Sequence, residues 1–155
     1  MKNQNDESIT PAPIIPVIAE FKSFSFTNPQ GGTGMSNWNH DARFTGAVKV
    51  QIVKAWNDYE TGLHFVGVAL DDDLIAYLRA NAKADEQRVY VSEHTLIKPA
   101  SGQMLLESFA ESVGVVLTED GYVLRKQPNG TWSDSDMSFT SLRDLMAEVN
   151  VSVEI

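Results

Sequence analysis

The chain contains no cysteine, and this absence removes several kinds of chemistry before any pattern is considered. Without thiols the protein has no disulfide framework, no thiolate zinc site and no cysteine nucleophile. A cysteine-free composition is typical of a chain that folds in a reducing compartment. We therefore expect a cytoplasmic protein.

Long hydrophobic runs are missing as well. No uninterrupted apolar stretch approaches the ~20 residues that a helix needs to cross a bilayer. Residues 1–10 are polar, unlike the apolar centre of a secretory signal. We expect neither a membrane span nor export.

Basic residues are scarce, since 12 lysines and arginines face 21 aspartates and glutamates, for a net charge of −9. Direct binding to a nucleic-acid backbone requires clustered basic residues, and the sequence has a single adjacent basic pair, Arg125 and Lys126. We therefore expect no direct contact with nucleic acid. The electrostatically matched partner is a basic protein surface, including that of a protein which itself binds nucleic acid.

The negative charge is concentrated near the end of the chain. Residues 99–155 hold six of the nine net negative charges, because nine acids there face only three bases. Glu119 and Asp120 are predicted to mark a turn, and Asp144 to complete a helix cap with Ser141. The acids without a predicted local role are Glu107, Glu111, Asp134, Asp136 and Glu148. Partner binding through this region requires that those five share a face.

A chain of 155 residues has the length of one ordinary domain, which buries about 70% of its unfolded surface. An apolar content of 43% is ample for one core. Residues 1–13 are polar and include Pro11 and Pro13, which predicts a disordered N-terminal tail. Residues 14–155 are then expected to form a single domain.

Alternating apolar and polar residues predict strands, and turn residues predict where those strands reverse. The acidic run 71–73 and Ser101 mark two helix starts, and Ser138 or Ser141 marks a third. Asp-Gly at 120–121 and Asn-Gly at 129–130 predict tight hairpins. The predicted strands are 14–26, 48–56 with a bulge near Val53, 63–70, 88–93, 115–118, 122–127, 131–133 and 151–155. Together they predict a single α+β domain, with a mainly antiparallel β-sheet and about three covering helices.

Signatures of catalysis, cofactors and metals are absent from the sequence. The glycine-rich segment 30–34 lacks the Lys-Ser/Thr pair of a P-loop. Asp134 and Asp136 lack the central glycine and closing glutamate of a calcium loop. His40, His64 and His94 do not have the spacing of a zinc motif. The sequence therefore predicts no catalytic residue, no cofactor and no metal.

Aromatic residues in polar surroundings are the type that anchors protein interfaces. Trp38 lies in a long polar loop, 28–43, and Trp132 lies on a short strand beside acids. The preferred hypothesis is a non-enzymatic acidic protein that occupies a basic site on a protein partner. Inhibitors, immunity proteins and nucleic-acid mimics directed against nucleases or CRISPR-type effectors have this general composition. The predicted partner-binding residues are Trp38, Glu107, Glu111, Tyr122, Trp132, Asp134, Asp136 and Glu148.

Two alternative hypotheses belong to other functional classes. One is a small enzyme or ligand-binding domain whose site lies under the 28–43 loop, where His40 and Asp41 converge with His64 or His94. The other is a structural subunit that self-associates into a homo-oligomer through an exposed strand such as 151–155.

Overall fold

The computed structural model describes residues 15–26, 37–38, 47–81, 87–97 and 101–155. The predicted tail 1–13 lies outside the described residues, as does the predicted loop 28–43 apart from residues 37–38. The expected convergence of His40 and Asp41 with other groups therefore also lies outside them.

The described chain is an α+β protein, as predicted. Its strands are β1 (Ile18–Phe21), β2 (Ser25–Phe26), β3 (Asn37–Trp38), β4 (Val48–Asp58), β5 (Gly62–Ala69), β6 (Arg88–Ser92), β7 (Val115–Thr118), β8 (Val123–Lys126), β9 (Trp132–Ser133), β10 (Ser138–Phe139) and β11 (Val151–Glu154). Its helices are α1 (Asp72–Asn81), α2 (Gly102–Val113) and α3 (Leu142–Met146), and a 3₁₀ turn spans Glu93–Thr95.

All the described strands belong to one antiparallel sheet. The order is β10-β9-β8-β7-β11-β4-β5-β6-β2-β3, and β1 pairs with β4 outside this path. The hairpin of β4 and β5 lies near the middle, with β11 on one side and β6 on the other. The sheet therefore joins the two halves of the sequence through the β4–β11 pair.

The predicted bulge interrupts β4, the longest described strand. The register of β4 against β5 shifts between Ile52 and Lys54, so that one strand has an extra residue there, Val53. As a result Ile52 and Ala55, three positions apart, are both fully buried on the same side of the sheet.

The helices begin and end largely where the sequence predicts. Ser101 caps α2 by accepting a hydrogen bond from the backbone N–H three residues later, and Gly114 ends the helix with a φ of 83°. Ser141 caps α3 in the same way, whereas Ser138 lies in β10. All three helices bury leucines in the sheet's core, which includes Leu74, Leu78, Leu105, Leu106, Leu142 and Leu145. None of the described helices is long and apolar enough to cross a membrane.

Three predicted elements differ from the structure. The predicted strand 14–26 is two strands. The first, β1, pairs with β4 as far as Phe21, and Lys22 then donates its backbone N–H to the carbonyl of Thr95. The second, β2, pairs with β6 instead. The last helix is shorter than predicted, since Phe139 pairs with Trp132 in the sheet. Strand 151–155 was expected to be exposed, but β11 is hydrogen-bonded to β4 and to β7, so it offers no free edge for self-association.

Candidate functional site

Six residues from six neighbouring strands form a row across one face of the sheet. In order they are Val123, Leu117, Ser152, Trp56, His64 and Ser92, each directly opposite the next. Directly opposite residues of antiparallel strands project to the same face. The alternate residues Ala55, Phe65 and Val91 lie in the core with the helices. We call the six residues the cross-sheet row, and the face that carries them, opposite the core, the outer face.

A cavity of about 550 Å³ lies at the β5–β6 end of the cross-sheet row. We call it the Trp56 cavity. It is lined by side chains of the row, by the turn between β4 and β5 and by residues of β2, β6 and the 3₁₀ turn. The lining residues that carry the argument below are Ser25, Trp56, Thr61, His64, Tyr90 and His94. A volume of this size is within the range of small-ligand sites in proteins.

The indole of Trp56 forms the most distinctive wall of the cavity. It stacks on the imidazole of His64 with ring centroids 5.4 Å apart and planes inclined by 23°. The ammonium group of Lys54 lies 5.5 Å from the centre of the indole ring. Because the backbone pairing fixes Trp56 opposite His64, the stack is held by two adjacent strands. Such a wall is suited to contact with a flat apolar group.

The hydroxyl of Ser25 has no hydrogen-bond partner within the part of the chain that the structure describes. Ser25 is only 1% exposed, lines the Trp56 cavity and lies opposite Tyr90 in the β2–β6 pair. A buried hydroxyl without a partner is unfavourable by about 1–3 kcal/mol. Such a group in a cavity wall is available to form a hydrogen bond with a molecule that enters the cavity, water included.

This interpretation predicts that Ser25→Ala increases stability in the absence of ligand. Removing an unpaired buried hydroxyl should raise the free energy of unfolding by about 1 kcal/mol, measured by urea denaturation. The matched control is Thr118→Val, because Thr118 is equally buried but accepts a hydrogen bond from the backbone N–H of Tyr122 at 3.0 Å. That variant should lose about 1 kcal/mol. Equal losses in the two variants would contradict the interpretation.

Two of the three histidines meet at this cavity. The Nε2 atom of His64 lies 2.7 Å from the hydroxyl of Thr61, and the Nε2 atom of His94 lies 3.3 Å from the carbonyl of the same threonine. The ligand-binding or enzyme alternative required such a cavity, and the structure forms it around His64 and His94. However, Ser25 bonds to neither histidine, and no described carboxylate bonds to either ring. The Thr61 hydroxyl and the His64 imidazole are within hydrogen-bond distance, but among the described residues no carboxylate orients the imidazole as the third group of a catalytic triad does.

A metal site is not formed by the described residues either. No group of three or more histidine, aspartate or glutamate side chains among them is arranged to hold a metal ion. The described lining of the cavity offers contact with the aromatic wall and hydrogen bonding to hydroxyl and imidazole groups.

A second, smaller hollow of about 320 Å³ adjoins the first across the Trp56 ring, which lines both. We call it the Asn150 hollow. Leu117 and Ser152 of the cross-sheet row line it, together with Asn150 and Glu119. Asn150 donates a side-chain hydrogen bond to the Glu119 carboxylate at 3.3 Å. The row therefore has an apolar cavity at one end and a polar hollow beside it.

The acidic residues predicted to bind a partner do not form a single surface of unpaired carboxylates. Glu107 receives two hydrogen bonds from the guanidinium of Arg143, at 3.0 and 3.3 Å, and Glu111 pairs with Lys126. Two of the three bases in residues 99–155 thus offset acids on the helix side of the sheet. Asp134 shapes the β9–β10 turn by accepting two backbone N–H groups.

Trp132 is 3% exposed and belongs to the core, whereas the sequence predicted an exposed side chain there that anchors a partner. Its ring lines a small hollow on the helix side, together with Glu107 and Glu111. Tyr122, by contrast, is 42% exposed at the β7–β8 hairpin. Asp136 and Glu148 are also exposed. The backbone of Trp38, in β3, pairs with that of Ser25, in β2.

The structure assembles a different acidic surface from four separate segments. Strand pairing places four segments at one end of the sheet, 57–64, 92–97, 117–123 and 147–152. The pairs that do so are Asp58 with Gly62, Val151 with Thr118 and His64 with Ser92. These segments contain no lysine or arginine. Their acids are Asp58, Glu60, Glu93, Glu119, Asp120 and Glu148. We call this region the acidic end.

Sequence reasoning identified Glu148 of this set as a binding residue and named His64 and His94 in the ligand-binding alternative, but it missed Ser25, Trp56 and the other acids of the site. Glu119 and Asp120 were predicted only as turn residues, and Ser25 and Trp56 only as strand residues. The one sequence signal for Ser25 is its place between two buried phenylalanines, which puts it on the opposite face of a strand.

Comparison of the chain with protein families, with curated proteins and with solved structures finds no significant match. The function therefore has to be inferred from the geometry of the site.

Proposed function

We propose that this chain is a non-enzymatic acidic binding protein that receives an apolar or aromatic group of its ligand in the Trp56 cavity. The observation that carries the proposal is the cavity itself, whose wall combines the Trp56–His64 stack with the buried Ser25 hydroxyl, which has no partner among the described residues. A binding site that is already formed in the free protein has a few polar groups that hydrogen-bond to the ligand when it is present.

The composition of the cavity supports a ligand that is neutral or positively charged. Glu60 is a lining residue, and no lysine or arginine is among the described residues that line the cavity. A phosphate or carboxylate group would therefore find no lysine or arginine in the described lining, only Lys54 beside it over the Trp56 ring, and this is unfavourable in a partly desolvated site. An aromatic group with a hydroxyl or amine fits the wall and the Ser25 hydroxyl together.

The proposal keeps the class of protein that the charge favours, one that occupies a basic site on a protein partner, as an inhibitor or immunity protein does. It moves the contact surface, however. Glu107 and Glu111 are paired and Trp132 is buried, whereas the outer face offers a partly exposed aromatic wall with carboxylates beside it. If a side chain of the basic protein partner occupies the cavity, the partner itself is the ligand of the Trp56 cavity.

The decisive experiment uses the indole N–H signals of the three tryptophans in ¹H–¹⁵N spectra. Titration with neutral aromatic probes such as phenol and indole should shift the signal of Trp56 and leave that of Trp132 unchanged, because Trp132 is buried on the opposite side of the sheet. Trp56→Ala removes that signal, so binding to this variant is followed through the backbone amide of His64, which also lines the cavity; it should be weaker by at least about tenfold, since a central aromatic anchor is worth about 2 kcal/mol or more.

The control variant is Tyr59→Ala, which removes an exposed aromatic ring from the neighbouring turn but does not line the cavity. It should leave probe binding unchanged. The proposal is wrong if no aromatic probe shifts Trp56 selectively, or if Tyr59→Ala and Trp56→Ala weaken binding equally.

A further inference from the structure

We infer that the cross-sheet row binds an extended, positively charged segment of a protein partner, with one aromatic or aliphatic side chain of that segment seated in the Trp56 cavity. The inference rests on the proposed function and adds the nature of the ligand. It follows from the length of the row, its apolar far end and the charge of the surrounding residues.

The row is longer than a small molecule. From His64 on β5 to Val123 on β8 it crosses four strand spacings, which is about 19 Å at ~4.8 Å for each spacing. An extended peptide covers that distance with roughly six residues, at ~3.3 Å for each residue. Trp56 lies within this length and borders both hollows.

The far end of the row is apolar and exposed. Leu117 is 45% exposed and Val123 is 44% exposed, and the two lie directly opposite each other on β7 and β8. Tyr122, the residue before Val123, is exposed to a similar extent. Apolar side chains grouped on a surface beside a cavity are characteristic of a protein-binding site. A segment that fills the cavity and continues along the row would cover them.

The charge around the row favours a basic segment. The acidic end contributes six carboxylates, of which Glu60, Glu119, Asp120 and Glu148 are exposed. Glu60 lines the Trp56 cavity and Glu119 lines the Asn150 hollow, so carboxylates are present at both. The cations that share the outer face nearby are Lys54, which lies over the Trp56 ring, Arg125, two residues beyond Val123, and Arg88, two residues before Tyr90. The carboxylates outnumber them, and so the surface attracts lysine and arginine side chains.

The test uses three synthetic six-residue peptides with a fluorescent label. The first has lysines around one tryptophan, the second has glutamates in place of the lysines, and the third has glycine in place of the tryptophan. We expect the first to bind at least about tenfold more tightly than either of the others. Its affinity should fall when the salt is raised to about 0.5 M, because surface charges are then screened.

Two protein variants locate the contact. Leu117→Ser alters the far end of the row and should weaken the lysine peptide several-fold without changing the binding of free indole. Glu119→Gln combined with Asp120→Asn should also weaken the peptide and reduce its dependence on salt. The control is Asp73→Asn, which removes an exposed carboxylate of α1, outside the four segments of the acidic end. It should leave the affinity unchanged.

The outcomes separate this inference from the proposed function. If indole shifts the Trp56 signal but the lysine peptide binds no more tightly than tryptamine, the site is confined to the cavity and the inference is wrong. Equal binding of the lysine and glutamate peptides would overturn it as well. If no probe and no peptide affects Trp56, the proposed function fails together with the inference.

Discussion

Phe65→Ala is expected to lower the free energy of unfolding by about 3–5 kcal/mol, the largest loss expected of any variant considered for this protein. Phe65 is fully buried in the middle of β5, and its ring lies 6.2 Å from that of Phe21 in β1. Truncation leaves a cavity between the sheet and its helices that rigid strands cannot close. Urea denaturation monitored by circular dichroism measures the loss.

The control for this prediction is Met104→Ala, which truncates a residue of α2 that is mostly exposed. Its stability should change by no more than about 0.5 kcal/mol. A comparable loss in both variants would mean that the centre of the core does not lie at β5.

Gly67→Ala is expected to lower the free energy of unfolding by about 1–3 kcal/mol, although alanine is the smallest possible addition. A β-carbon at position 67 would lie 2.7 Å from the β-carbon of Val50 and 3.1 Å from the carbonyl oxygen of Gln51. Both contacts are to a paired strand, so neither can move away without disturbing the β4–β5 register. The crowding arises because the side chain of Val50 fills the space over the glycine.

The double variant Gly67→Ala with Val50→Ala tests this explanation. Val50→Ala removes the γ-carbon that would lie 2.8 Å from the new β-carbon and leaves the β-carbon of residue 50, so the crowding is partly relieved and the combined loss should be smaller than the sum of the two single losses by about 1 kcal/mol. Strictly additive losses, measured by the same urea denaturation, would show that the cost of Gly67→Ala has another origin.

The local elements of this protein are largely readable in the sequence, because the signals are short in range. Alternation predicts β4 and β5, including the bulge, and glycines at 121 and 130 have the positive φ that their turns require. Ser101 and Gly114 give both ends of α2. The predictions fail where a distant strand decides the structure. The segment 14–26 divides into two strands because β4 and β6 offer it separate partners.

The candidate site was largely unpredictable for the same reason. Arg143 pairs with Glu107 across 36 positions of sequence, so a count of acids in the last third overstates the free charge there. The acidic end combines residues from four segments that only strand pairing brings together. Nothing near Ser25 in the sequence indicates that its hydroxyl is buried and has no partner among the described residues.

The bulge in β4 determines which side of the sheet Trp56 occupies. With uninterrupted alternation, position 56 would have the same parity as the buried Val50 and Ile52, and Trp56 would face Leu63 across the hairpin, in the core. The single extra residue at position 53 reverses the alternation of the side chains that follow it, so the indole lies on the outer face, opposite His64. Which residues of β4 occupy the outer face is therefore set by residue count as well as by residue type. In a chain with one residue fewer or one more at the bulge, position 56 would face the core.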